Sequence, residues 1–208
     1  MISTTKATKD DETAWAYSAS VGSEHLQISS SEFWYQRLRD ILMPLVIGSV
    51  DLGDDVLEVG PGPGLSTDLL RARVPALTAV ELDGEMAASL SFRLAGTNVE
   101  VVHADATDLP FEDRRFTGVA SFSFLHHIPT EELQDQLFGE VARVLQPGGV
   151  FAAYDGMAST QIANLHAGLP YNPVDPDTVE SRLLGAGFAT VELQTLDLGW
   201  ATIATMAA

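Results

Sequence analysis

The sequence predicts an α/β protein with a mostly parallel sheet that closes on an antiparallel hairpin. Three observations lead there. Between residues 56 and 154 short apolar runs alternate with longer amphipathic segments, the pattern of βαβ units. The last two apolar stretches, 190–198 and 200–206, are joined at Gly199, and so short a link allows only a hairpin. A chain of 208 residues is long enough for one ordinary domain with its own core.

The elements follow in order. Residues 1–13 are polar and expected to fray. A helix is expected from Ser30, capped by Ser30 or Ser31, with Trp34, Leu38, Ile41 and Leu45 on one face. Pro44 lies inside that pattern and should kink or break it. Leu52-Gly53-Asp54-Asp55 reads as a turn. Strands are expected over 56–59, 76–82, 99–103, 118–124 and 150–154, and helices over 65–73, 84–94 and 130–145. The last of these helices places Leu133, Leu137, Val141 and Val144 on one face, and Gln146-Pro147-Gly148-Gly149 stops it. A final helix over 175–186 opens at Asp175-Pro176 and ends at Gly185-Ala186-Gly187.

Composition excludes several functions. The formal net charge is −18, which argues against nucleic acid as a standing partner, because a polyanion needs a Lys/Arg surface. Anionic membrane surfaces are disfavoured on the same ground. No apolar run approaches the roughly 20 residues of a membrane span, and MISTTKATKDDETAW has no apolar signal core, so a cytoplasmic protein is expected. There is no cysteine, which excludes disulfides, a thiolate nucleophile and a cysteine-based zinc site. The five histidines are His25, His103, His126, His127 and His166; none forms a HExxH pair, and no metal is expected.

The sharpest motif is Val56-Leu57-Glu58-Val59-Gly60-Pro61-Gly62-Pro63-Gly64, three alternating glycines between a strand and a helix. Glycine permits a sharp turn and a close approach of ligand to backbone. A dinucleotide fingerprint would need glycine at position 65, which is Leu65, so a nucleoside lacking a pyrophosphate fits better. Glu81, in Val80-Glu81-Leu82-Asp83, follows Gly60 by 21 residues, the spacing of an acid that accepts both ribose hydroxyls. Asp105 and Ala106, past the third strand, can read an adenine: the carboxylate accepts from the exocyclic amine, and the next N–H donates to a ring nitrogen. Met86 offers a soft apolar face to the base, or is simply core.

The set VLEVGPGPG, VELD, HADATDLPF, SFSFLHHIP and LQPGGVF resembles the class I S-adenosylmethionine-dependent methyltransferases. Within them it is similar to the compact small-molecule enzymes of the ubiquinone/menaquinone-methylase-like group. The resemblance spans roughly residues 52–156 and continues more weakly through GAGF at 185–188 and the closing hairpin. It implies a Rossmann-like, mostly parallel seven-stranded sheet with helices on both faces. It further implies an N-terminal helical lid over residues 1–50 and an S-adenosylmethionine-binding domain over 51–208. Glu58 and the loop of Gly60, Pro61, Gly62 and Gly64 should hold the methionine end of the cofactor. Glu81 should bind the ribose, Leu82 and Met86 should line the nucleoside, Asp105 and Ala106 should read the adenine, and Ser121 should face the methionine part. One departure is visible: Phe116-Thr117 stands where the family often has Phe-Asp, which puts local capping in question.

A sulfonium methyl is already electrophilic, so the protein has mainly to align an acceptor and exclude water. His126 and His127 can serve as a base if the acceptor carries a proton; the alternative is that one packs while the other lines the cofactor. Tyr17 and His25, near Trp15, and Asp155 and His166, near Tyr171, are the candidate acceptor contacts. The expected function is transfer of a methyl group to a small neutral or hydrophobic molecule. The alternative is an S-adenosylmethionine-binding module without transfer activity. A homodimer stays open as the assembly.

Overall fold

The computed structural model describes residues 27–166 and 169–208. Seven strands form one sheet in the order β3-β2-β1-β4-β5-β7-β6. β1 is Asp55–Val59, β2 Ala76–Glu81, β3 Val99–His103, β4 Phe116–Phe122 and β5 Leu145–Gly156. All of these pair in parallel. β6 (Thr190–Leu196) and β7 (Gly199–Thr205) form the antiparallel hairpin, and β7 pairs antiparallel with β5. The Rossmann-like, mostly parallel sheet with its antiparallel closing hairpin is therefore as the sequence predicts, and the fold adds that β7 lies between β5 and β6. The strand order reverses between β1 and β4, and in such sheets ligands bind outside the carboxyl ends of the strands at that point.

The helices are α1 (Glu32–Arg37), α2 (Met43–Ile47), α3 (Leu65–Leu70), α4 (Gly84–Arg93), α5 (Glu131–Val144), α6 (Thr160–Leu165) and α7 (Pro176–Ala186). Two apolar layers cover the sheet. Leu57, Val59, Val119, Phe151 and Trp200 face α5 and α7, whose Leu137, Phe138, Val141, Val179 and Leu183 are buried. Val56, Ala120, Ala152 and Ala201 turn to the other layer, with Leu38, Leu42, Met43, Val46 and Leu70. The alternation along each strand sends successive side chains to opposite helical layers. Local chemistry sets the ends: Thr130 caps α5 by accepting from Leu133 N, Asp175 caps α7 by accepting from Asp177 N, and Gly187 ends α7 with φ 112°.

Two expectations need correction. Ile41 is not on the buried face of the N-terminal helix; it is 52% exposed, and Leu42 is buried instead. A π-helical turn, Leu38–Leu42, connects α1 to α2 just before Pro44. Its wider turn takes in one extra residue and moves the face from position 41 to 42. Pro44 occupies the first turn of α2, where its missing N–H is tolerated. β5 also begins earlier than 150, because Leu145 already pairs with Phe116, and the Pro-Gly-Gly segment makes an irregularity within the strand. Thr117 does the capping that was in question: its hydroxyl accepts from Asp55 N at 3.1 Å and donates towards the carbonyls of Leu52 (2.8 Å) and Asp55 (2.9 Å).

Candidate active site

The glycine loop follows β1 directly. Gly60, Gly62 and Gly64 all have positive φ, at 69°, 52° and 85°. Gly60 N donates to Val80 O at 3.1 Å, which ties the turn to β2, and a Cβ on Gly60 would run into the Phe124 ring. Gly62 is different: a Cβ there would meet nothing within 4 Å, so the loop borders open space at that point. Arg93 of α4 holds the far end, with Nη2 donating to the carbonyls of Pro63 (3.2 Å) and Gly64 (3.3 Å) and Nη1 to Asp68 at 2.6 Å.

Two buried acids flank the loop. Glu58 accepts a 2.5 Å hydrogen bond from the Ser66 hydroxyl at the start of α3. Burial raises its pKa to about 7, against the opposing effect of the Ser66 and Thr67 hydroxyls. Glu81 ends β2 and accepts from Gly62 N at 3.0 Å and from Asp83 N at 2.9 Å. Burial pushes its pKa up as well, while those backbone N–H groups pull it down. The carboxylate thus fixes the glycine loop to the β2 terminus. Asp83 then caps α4, accepting from Glu85 N and Met86 N at 2.9 Å each, and this sets Met86 at the cavity edge.

Asp105 accepts from both the N–H and the hydroxyl of Thr107 at 2.8 Å. Together with Gly60, Leu82, Ala106 and Phe124 it lines a narrow cleft on one side of the loop. The segment is pinned from α5. Glu140 accepts from Leu109 N at 2.8 Å, Gln136 donates to Thr107 O at 2.8 Å, and Arg143 donates to the carbonyls of Phe111 and Leu109 at 2.7 and 3.0 Å.

On the other side of Gly60 a larger cavity of about 340 Å³ opens. Its lining is mostly apolar, with Phe33, Trp34, Leu65, Met86, Phe122 and Met157 among the contributors. Gly60, Pro61 and Gly62 line it together with His126, His166, Tyr154 and Tyr171. His126 is 6% exposed, and its Nδ1 lies 2.5 Å from Asp155 Oδ1. The same carboxylate accepts from His126 N at 3.2 Å and Gly156 N at 2.6 Å. Asn172 N donates to His126 O at 2.7 Å, and Gln134 donates to Leu125 O and Asn172 O, so the histidine turn is clamped to the segment before α7.

The structure therefore brings Gly60, Pro61, Gly62, Met86, His126 and His166 to one cavity, and Leu82, Asp105 and Ala106 to the adjoining cleft. Glu58, Glu81, Ser121 and His127 are buried and line neither the cavity nor the cleft, and Gly64 caps α3. Asp155 does not face the cavity as an acceptor contact. It is 0% exposed because the strand alternation turns it beneath His126, while Tyr154 and Gly156 reach the wall. Tyr17 and His25 lie outside the described residues. The sequence reading missed Phe33, Arg37, Tyr154 and Met157 as lining residues. Their only signal was position: two on the first helix, two at the carboxyl end of β5.

Comparison with known proteins finds a methyltransferase domain and a shared fold. Residues 57–153 match the family described as "Methyltransferase domain". The chain is 29% identical over 203 residues to a demethylmenaquinone methyltransferase of Clavibacter sepedonicus, covering 84% of this chain and 79% of that protein. Further curated relatives match a shorter region, and the chain spans about half of their length, 46% and 55% in two mycobacterial cases. Among solved structures, a protein of Pyrococcus horikoshii OT3 superposes with a TM-score of 0.71 at 21% identity, over 86% of this chain and 93% of that one. A phosphoethanolamine N-methyltransferase of Haemonchus contortus, in complex with S-adenosyl-L-methionine, gives 0.67 at 18% identity, over 84% and 53%. At these identities the structural likeness concerns the fold.

Proposed function

We propose that the chain is a class I S-adenosylmethionine-dependent methyltransferase that transfers a methyl group from that cofactor to a small, largely apolar acceptor; its match to a methyltransferase domain over residues 57–153 and its 29% identity to a demethylmenaquinone methyltransferase support this reading. The reading rests on one observation: a mostly apolar cavity of about 340 Å³ is lined both by the glycine loop and by His126, His166 and two tyrosines. That is the size and character of a site for a small neutral molecule. The first relative's name, a demethylmenaquinone methyltransferase, is in keeping with such an acceptor, and the net charge of −18 speaks against nucleic acid.

The residues present fit the cofactor. Gly62 leaves open space where any side chain would intrude, and the buried Ser121 hydroxyl has no hydrogen-bond partner among the described residues. Bound there, S-adenosylmethionine supplies an electrophilic methyl. Glu58 and the loop hold the methionine end, Glu81 the ribose, and Asp105 with Ala106 the adenine. The apolar walls exclude water and orient the acceptor for an in-line approach. Where the acceptor loses a proton, His126 is placed to take it. Asp155 fixes the ring through Nδ1 and holds the proton there, so the cavity-side nitrogen is the accepting one. His127, on the same turn, packs against it with ring centroids 4.3 Å apart.

The test is incubation with methyl-labelled S-adenosylmethionine and separate apolar and polar metabolite fractions. Label is expected in the organic-soluble products, with matching release of S-adenosylhomocysteine. Cofactor binding without any labelled product across both fractions would instead favour a binding module.

A further inference from the structure

His126 and His127 lie on the 3-10 turn after β4, and His166 follows α6, some forty residues further along the chain. The fold brings all three rings together. Ring centroids are 4.3 Å apart for His126–His127, 5.0 Å for His126–His166 and 4.9 Å for His127–His166. One ring nitrogen of each lies within 4.8 Å of the others, and all three residues are buried.

Two of the rings are anchored from behind. His126 Nδ1 is bound to the buried Asp155, and His166 Nδ1 to the Ile162 carbonyl at 2.8 Å. A carboxylate and a carbonyl can only accept, so both rings carry their proton on Nδ1, and Nε2 is the nitrogen that would ligate. An imidazole held through its other nitrogen by a carboxylate or a backbone carbonyl is the arrangement that orients histidines at metal centres.

We propose that His126, His127 and His166 together bind one divalent transition-metal ion of the zinc class at the wall of the cavity. Three imidazole nitrogens suit zinc, cobalt or nickel, whereas magnesium and calcium take oxygen ligands. A tetrahedral ion with bonds of about 2.0–2.1 Å sets its nitrogens about 3.3 Å apart, so the ring nitrogens, which lie within 4.8 Å of one another, need to draw closer to bind it. Three protein ligands leave a fourth position. His126 and His166 both line the cavity, so that position faces the space assigned to the acceptor. The ion competes with a proton for His126 Nε2. The site goes beyond methyl transfer and does not depend on it, since an ion can be bound whether or not the protein turns over.

The experiment is titration of chelator-stripped full-length protein with Co²⁺ and Zn²⁺, read by calorimetry and visible absorption. One ion per chain is expected, with the intense visible bands of four-coordinate cobalt, lost on adding Zn²⁺. His166→Ala and His127→Gln are each expected to weaken binding at least 100-fold, and Asp155→Asn by about 10–100-fold through the loosened His126 ring. His103→Ala should bind as the native protein does, because His103 bonds to Leu82 O outside the cluster. Circular dichroism and S-adenosylhomocysteine affinity establish that each variant is folded. Absence of binding by the native protein, native-like affinity in a folded His166→Ala or His127→Gln variant, or equal competition by Mg²⁺ would each overturn the proposal.

Discussion

Gly60→Val is expected to destabilise the protein by several kcal/mol and to reduce cofactor affinity at least 100-fold. At φ 69° a β-branched residue carries backbone strain of about 1–3 kcal/mol. The new Cβ would enter the Phe124 ring, and overpacking of that kind adds about 1–3 kcal/mol. To relieve both, the loop must leave Val80 O, and it takes with it the Gly62 N–H that Glu81 holds. Gly62→Ala separates folding from binding. Its Cβ points into open space, so only the backbone strain remains for stability, while the methyl intrudes where the ligand would approach. Thermal unfolding and calorimetry with S-adenosylhomocysteine distinguish the two. A Gly62→Ala variant that binds as tightly as the native protein would show that the loop does not cradle the ligand.

The second large effect is on pH dependence. Glu58 has a folded-state pKa of about 7 against a model-peptide value near 4.5. Below pH 4.5 it is protonated in both folded and unfolded chains, and its contribution to stability is fully present. Between about pH 4.5 and 7 the unfolded chain ionises while the buried group resists, so stability falls, by about 3 kcal/mol in total at 1.36 kcal/mol per pKa unit. Above pH 7 the folded group is ionised too and the loss is complete. Glu58→Gln removes this slope. The variant's stability relative to native, from urea unfolding, is therefore expected to rise by about 3 kcal/mol between pH 4.5 and pH 8. Glu81, also raised by burial, acts in the same direction and is unaffected by the substitution. An equal difference between native and variant at both pH values would contradict the burial of Glu58. The functional counterpart is that native protein should bind the cationic methionine end more tightly as pH rises through 7, because only the ionised carboxylate attracts it.

Features governed by a few adjacent residues were legible in the sequence. The glycine loop, the helix that opens at Gly84 and the closing hairpin each follow from short-range chemistry, and all three stand in the fold. The first helix misled because one inserted π turn rotates every following side chain, and residue type alone does not mark where a helix widens. Asp155 and His126 are 29 residues apart, so their pairing depends on the β4–β5 register and has no local signature. His166 lines the same cavity as His126 from 40 residues further along the chain, and it too has no local signature. Contacts set by topology in this way are visible only once the sheet order is known.

The most direct test of the whole account is a crystal structure with S-adenosylhomocysteine bound. The adenosine is expected over Gly60, with its ribose on Glu81 and its base at Asp105 and Ala106. The sulfur should point into the apolar cavity facing His126. A nucleoside bound elsewhere, or one in this crevice whose sulfur turns away from that cavity, would contradict it.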